Sequence, residues 1–135
     1  MKFKSFSLKT WSDERGDLTP IELSEYAPFV PQRIYYLTNT KSTRGGHAHS
    51  EEQELFVCIK GSFTAKIHDG KEWHTFQMSE KGECSALYND SMVWHEFTDF
   101  SPDSVMLAVS STHYNGTEGY IMDFEQFLAL CNKPQ

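Results

Sequence analysis

His47 and His49 stand two residues apart in the stretch Arg44-Gly45-Gly46-His47-Ala48-His49. In a β-strand alternate side chains share a face, so this spacing aims two imidazoles into one space. Imidazole gives and takes protons near neutral pH, and it is also the commonest metal ligand. The two glycines before the pair let the chain turn sharply and let a ligand come close to backbone. Behind the pair comes Glu54-Leu55-Phe56-Val57-Cys58-Ile59, a run suited to a buried strand and closed by Gly61-Ser62. His95 lies on a later apolar run, Met92 to Phe97. Arginine occurs at Arg15, Arg33 and Arg44, all in the first third of the chain. Its planar fork suits phosphate oxygens. If the three converge, a chain of net charge -7 still holds a local anion site.

The elements that must hold these groups read as strands. Phe3, Phe6 and Leu8 suggest a first one, and Asp13 to Asp17 a turn. Leu18 to Leu23 reads as a short strand, with Pro20 placing it at an edge or bend. Arg33 to Thr38 is rich in strand formers, and Asn39 to Gly46 is a polar loop leading to the histidines. Phe63, Ala65 and Ile67 alternate with polar residues, and Asp69-Gly70 fits a two-residue hairpin turn before a return over Lys71 to Met78. Cys84 to Tyr88, Met92 to Phe97 and Val105 to Val109 complete the series. Turn signals every eight to twelve residues indicate an all-β sandwich or barrel. Phe124, Phe127, Leu128 and Cys131 instead follow helical spacing, with Asp123 as N-cap. One short C-terminal helix is therefore expected on the outside of the barrel. His68 and His74 flank the hairpin turn and read as solvated.

The 135 residues suit a single domain spanning 1–135, and 39% apolar with 14% aromatic residues is enough for a core. No apolar run approaches the ~20 residues needed to cross a bilayer. The acidic balance speaks against a general nucleic-acid surface. Cys58, Cys84 and Cys131 are widely spaced, with no Cys-x-x-Cys, so neither a disulfide framework nor a zinc ribbon is indicated. A reducing cytoplasm is the expected compartment.

His47, His49, Glu54 and His95 resemble the metal set of the cupin superfamily: a His-x-His pair, a carboxylate after four intervening residues, and a third histidine on a later strand. Such a set can bind a divalent metal. Without metal it is a pocket of acid–base groups, and the residues alone leave both readings open. A closer resemblance rests on Arg33-Ile34-Tyr35-Tyr36, Arg44-Gly45-Gly46-His47-Ala48-His49, Lys60-Gly61-Ser62, Asp69-Gly70-Lys71, Trp94-His95-Glu96-Phe97 and Tyr120 to Phe127. Together these blocks resemble the sugar-nucleotide 3,4-ketoisomerases, the WxcM-like cupins that act on dTDP-4-keto-6-deoxyglucose. The match runs from Arg15-Gly16 to Phe127.

The resemblance implies a cupin-type double-stranded β-helix, or jelly roll, in a homodimer that exchanges N-terminal strands. It implies catalysis by His47 as base and His49 as its partner, with no metal or other cofactor. It places Arg15, Arg33, Tyr35, Arg44, Glu54, Trp94 and His95 at the dTDP-linked 4-keto-6-deoxy sugar. The product would be a 3-keto sugar, on the way to 3-amino-3,6-dideoxyhexoses of cell-surface glycans. Two positions depart from the family: Glu54 stands where Gln is usual, and Ser91 occupies a turn where Pro is frequent. Two other readings compete, a metal-dependent cupin enzyme and a non-enzymatic cupin sugar-binding module.

Overall fold

The computed structural model describes residues 2–133. Twelve strands and two helices follow in order. The strands are β1 (Phe3–Phe6), β2 (Trp11–Asp13), β3 (Gly16–Leu18), β4 (Arg33–Thr38), β5 (Arg44–His49), β6 (Glu54–Lys60), β7 (Ser62–His68), β8 (Trp73–Ser79), β9 (Ala86–Asn89), β10 (Trp94–Thr98), β11 (Val105–Ser110) and β12 (Tyr120–Ile121). Helix α1 (Leu23–Tyr26) precedes β4, and α2 (Phe124–Cys131) ends the described chain.

Two five-stranded sheets result, in the orders β1-β9-β6-β11-β4 and β12-β5-β10-β7-β8, with β2-β3 as a separate hairpin. Sequential strands β5 and β6 belong to different sheets, which is the crossing-over expected of the jelly roll. Alternation along each strand then sorts side chains by face. Phe56, Phe63, Ile67, Met78, Leu87, Phe97 and Met106 meet between the sheets and fill the core. Leu55, Val57, Tyr88 and Val109 point outward from the first sheet and are covered by Phe6, Leu8, Ile21, Tyr26 and Phe29 of the N-terminal segment. That second cover explains why β6 reads as an unbroken apolar run: from Leu55 to Cys58 it is buried on both faces.

Ala48, Trp94, Ile121 and Phe127 form a third apolar cluster, on the outer face of the other sheet under α2. The helix starts where expected, the Asp123 carboxylate accepting from the Gln126 N–H at 3.1 Å. Phe127 is fully buried there. Truncating such a ring to alanine typically costs about 3–5 kcal/mol, so α2 is a fixed part of the wall behind β5.

Three local expectations are corrected. Leu18 to Leu23 is not a strand: β3 ends at Leu18, which pairs with Trp11, and after Pro20 the chain turns into the four-residue α1. The β7–β8 connection is a four-residue loop, because His68 pairs with Trp73. The Asp69 carboxylate closes that loop by accepting from the N–H groups of Lys71 and Glu72. His68 is buried, not solvated, packed edge-on against Trp73, Phe124 and Phe127. The helix that covers it is distant in sequence.

Candidate active site

β5 and β10 bring His47 opposite His95. The register then shifts, Glu96 pairing with Gly45, so Gly46 is the extra residue of a bulge. Gly45 has φ +82°, and a Cβ there would lie 2.8 Å from the His95 carbonyl oxygen. Only glycine fits this close approach. The bulge turns His47 inward, and alternation carries His49 to the same face.

Three imidazoles therefore converge. Ring centroids are 4.8 Å apart for His47 and His49, 4.7 Å for His47 and His95, and 5.4 Å for His49 and His95. Glu54 faces them from β6 in the opposite sheet. Its Oε1 lies 3.0 Å from His49 Nε2 and 3.9 Å from His95 Nε2. Among the described residues no other polar group reaches this buried oxygen, whose nearest polar neighbours are these two rings. The other oxygen, Oε2, accepts from the Tyr35 hydroxyl at 2.5 Å. Behind His95, the Asn89 amide lies 3.2 Å from Nδ1 and donates to the Val93 carbonyl.

Burial pushes the His47 imidazole down to about 4, aided by His49 and opposed by Glu54. Burial likewise pushes His95 down to about 3. Both rings are neutral at physiological pH. Burial pushes the Glu54 carboxyl up, but His49, His95 and the Tyr35 hydroxyl together outweigh it and hold it down at about 2. A buried carboxylate thus sits in the same cluster as the neutral rings of His47 and His95.

The cluster forms one wall of a cavity of about 480 Å³. Arg33, Tyr35, Arg44, His47, His95 and Tyr120 are among its lining residues. Arg33 is braced, donating from Nη2 to Glu52 at 3.2 Å and from Nη1 to the Thr112 carbonyl at 2.9 Å. Its guanidinium lies over the rings of Tyr35 and Tyr114. Arg44 reaches the same cavity with an exposed side chain. A wall of proton-transfer groups thus adjoins two cations suited to an anionic ligand.

Of the residues expected at the site, His47, Arg33, Tyr35, Arg44 and His95 line the cavity, with His49 and Glu54 buried against it. Two do not join them in this chain. Trp94 precedes the inward His95, so alternation turns it outward, where it packs on Phe124 and Phe127 and donates to Glu96. Arg15 lies on the exposed β2–β3 turn, paired with Asp13 at 2.6 Å. Tyr120 was not foreseen. It stacks on His47, and only the pairing of β12 with β5 brings it there.

His47, His49 and His95 offer ring nitrogens within 4.8 Å of one another. With the unpartnered Glu54 oxygen they fit the donor set of a divalent transition metal. His49, Glu52 and Glu54 form an overlapping group, and Asp69, Glu72 and His74 another, at the β7–β8 turn and the start of β8, where the His74 ring is already bonded to Asp69.

Comparison with known proteins agrees with this geometry. The family model described as FdtA, WxcM-like, C-terminal, matches residues 1–132. The TDP-4-oxo-6-deoxy-alpha-D-glucose-3,4-oxoisomerase of Aneurinibacillus thermoaerophilus is 35% identical over 129 residues, covering 94% of this chain and 91% of that protein. The crystal structure of a 3,4-ketoisomerase from Helicobacter canadensis superposes with a TM-score of 0.86 at 31% identity, over 98% of this chain and 99% of that one. A histidine-to-asparagine mutant of the 3,4-ketoisomerase QdtA from Thermoanaerobacterium thermosaccharolyticum, in complex with TDP-4-keto-6-deoxyglucose, superposes with a TM-score of 0.84 at 27% identity, over 96% and 94% of the two chains. With its matched residues running through both the histidine pair and the Trp-His-Glu block, the chain belongs to the FdtA, WxcM-like family and is an enzyme of the 3,4-ketoisomerase class.

Proposed function

We propose that the protein converts dTDP-4-keto-6-deoxy-D-glucose to a dTDP-3-keto-6-deoxyhexose by histidine-mediated proton transfer. The observation that carries this reading is the contact of neutral His47 and His95 with the buried Glu54–His49 pair at the wall of an arginine-bearing cavity. The relatives' named substrates supply its chemistry.

The 4-keto group acidifies the hydrogen on C3. His47, neutral and at the cavity wall, takes that proton, and the electron pair moves into a C3–C4 enediol(ate). A proton shifts between the O3 and O4 oxygens and another returns to C4, leaving a ketone at C3. Atoms and electrons balance without a redox partner. His49, beside Glu54, acts behind His47, and His95 faces the same space. Each acid–base group of this kind typically supplies ~10²–10⁴-fold. Arg33 and Arg44 bind the pyrophosphate, and holding the sugar in place lowers the barrier further. Tyr35 orients Glu54 through its hydroxyl. A divalent metal, where bound by His47, His49, Glu54 and His95, would supply Lewis-acid polarisation of the sugar carbonyl. None of the proton transfers described here passes through it.

The functional unit in this reading is a homodimer with exchanged N-terminal strands. In the single chain β1 pairs with its own β9. The β2–β3 hairpin exposes Trp11 and Leu18, and the edge strand β4 exposes Ile34 and Tyr36, surfaces a second copy would cover. Exchange would also carry Arg15 to the partner. The product suits an aminotransferase that makes a 3-amino-3,6-dideoxyhexose for cell-surface glycans. The free thiols Cys58 and Cys84 fit a cytoplasmic setting, and no helix among the described residues is long and apolar enough to cross a membrane.

The test is incubation with dTDP-4-keto-6-deoxyglucose and a 3-aminotransferase, followed by NMR of the amino sugar. Appearance of a 3-amino-3,6-dideoxyhexose supports the reading. A 4-keto sugar returned unchanged, with an active aminotransferase present, overturns it.

A further inference from the structure

Tyr120 enters the site on the two-residue strand β12, where it pairs with His49, while Ile121 pairs with Ala48. Its approach is fixed from both ends. Gly119 takes φ +79° and its carbonyl accepts from the Ser50 N–H at 2.9 Å. Ile121 is buried in the cluster under α2. Between these anchors the phenol ring lies nearly parallel to His47, with centroids 4.5 Å apart and planes 27° apart. It meets His49 edge-on at 4.4 Å. His47 is thus held between Tyr120 on one face and the edge contacts of His49 and His95.

We infer that Tyr120 is a positioning residue for His47, its aromatic ring clamping the imidazole in the plane from which it serves the cavity. The role belongs to the ring, since no hydrogen bond links the Tyr120 hydroxyl to the imidazole. The inference rests on the isomerase reading above for its kinetic consequence, but not for its structural one. A proton carrier misplaced by about 1 Å can lose ~10²-fold in rate. The other titratable or charged groups around His47 are His49 and Arg44 on its own strand, His95 on β10, Glu54 on β6, and Arg33 and Tyr35 on β4.

The experiment compares Tyr120→Phe, Tyr120→Leu and Tyr120→Met in otherwise intact protein, using variants whose thermal midpoints stay near that of the parent. Phe keeps the stack; Leu and Met remove it by two routes. Expected for Leu and Met are a kcat lowered roughly 10–100-fold and a KM changed less than about threefold, with Phe within about threefold of the parent in both. Without any substrate, NMR relaxation of the His47 ring should show increased ring motion in Leu and Met and parental motion in Phe. Parental kcat and parental His47 ring motion in Leu and Met would overturn the inference, as would a Phe variant as impaired as Leu. A parent protein without turnover would count against the isomerase reading alone, because the ring-motion measurement still tests the clamp.

Discussion

His49 Nε2 lies 3.0 Å from Glu54 Oε1, with both side chains buried. The pair bridges the two sheets, since β5 and β6 belong to different ones. The Tyr35 hydroxyl holds the far oxygen of the same carboxylate. Glu54→Gln keeps an acceptor for Tyr35 and a polar group beside His49. It should leave turnover within about tenfold and the melting temperature little changed. Glu54→Leu strands the Tyr35 hydroxyl and removes the carboxylate. Leaving a buried polar group unsatisfied costs ~1–3 kcal/mol, so this variant should melt lower and turn over much more slowly. Equal behaviour of the two variants in thermal unfolding and steady-state kinetics would remove the polar role given to Glu54.

Acid should destabilise the protein earlier than its carboxylates alone require. His47 and His95 are held at about 4 and about 3, mainly by burial. An imidazole in the unfolded chain titrates near ~6.5. Between that value and the folded ones the unfolded state binds more protons, so stability falls as pH falls. Glu54, held down at about 2, works in the same direction at lower pH, its contribution being lost as pH drops from the ordinary carboxylate range through 2. The thermal midpoint should therefore decline steadily from pH 6.5 to 4, and His95→Asn should flatten part of that decline. A midpoint that is level or rising over this interval contradicts the neutral, buried state of these rings.

Arg44 tests the anion site. Arg33 is already bound to Glu52 and Thr112, whereas Arg44 offers an exposed guanidinium to the same cavity. Arg44→Ala should raise KM and lower kcat, because a poorly held pyrophosphate misplaces the sugar. It should also weaken binding of plain dTDP, measured by calorimetry. Unchanged dTDP affinity would make Arg44 a brace for the Gly45-Gly46 turn.

Much of this site could be read from residue order, and the exceptions have physical causes. His47, His49 and His95 follow from strand alternation, a local rule, once their strands are recognised. The same rule applied to Trp94 turns it away from His95's face, yet the Trp-His-Glu block invites treatment as one unit. His68 and Tyr120 depend on partners remote in sequence: α2 buries the first, and β12 reaches back to β5 for the second. Neither pairing leaves a periodic trace, because β12 is only two residues long. Arg15 sits on the exposed β2–β3 turn, paired with Asp13 and away from the cavity.

Metal removal addresses the four-donor cluster. The proton transfers described for His47 and His49 need no cation, although the unpartnered Glu54 Oε1 suits one. Turnover of the 4-keto sugar should survive extensive EDTA treatment. Loss of turnover, restored by one divalent metal and no other, would replace the metal-independent mechanism with a metal-assisted one.

The two histidines of β5 should separate in a proton-exchange experiment. His47 lines the cavity, while the nitrogens of His49 face Glu54 at 3.0 Å and Glu52 at 3.9 Å. The ring at the cavity is thus His47, and in the proposed mechanism His49 acts through its contact with that ring and with Glu54. His47→Asn should abolish turnover and also the exchange of the C3 hydrogen with solvent deuterium. His49→Asn should slow turnover yet retain some exchange, since forming the enediol(ate) needs only the first base. Both variants should bind dTDP, for which the proposed holders are the arginines and not these two rings. Proton NMR in D₂O, following the C3 signal of the 4-keto sugar, makes the comparison. Rapid C3 exchange by His47→Asn would move the base to His49, whose carboxylate partner could support it. Near-parental turnover by both variants would leave the cavity without its proposed proton carrier and sink the isomerase mechanism.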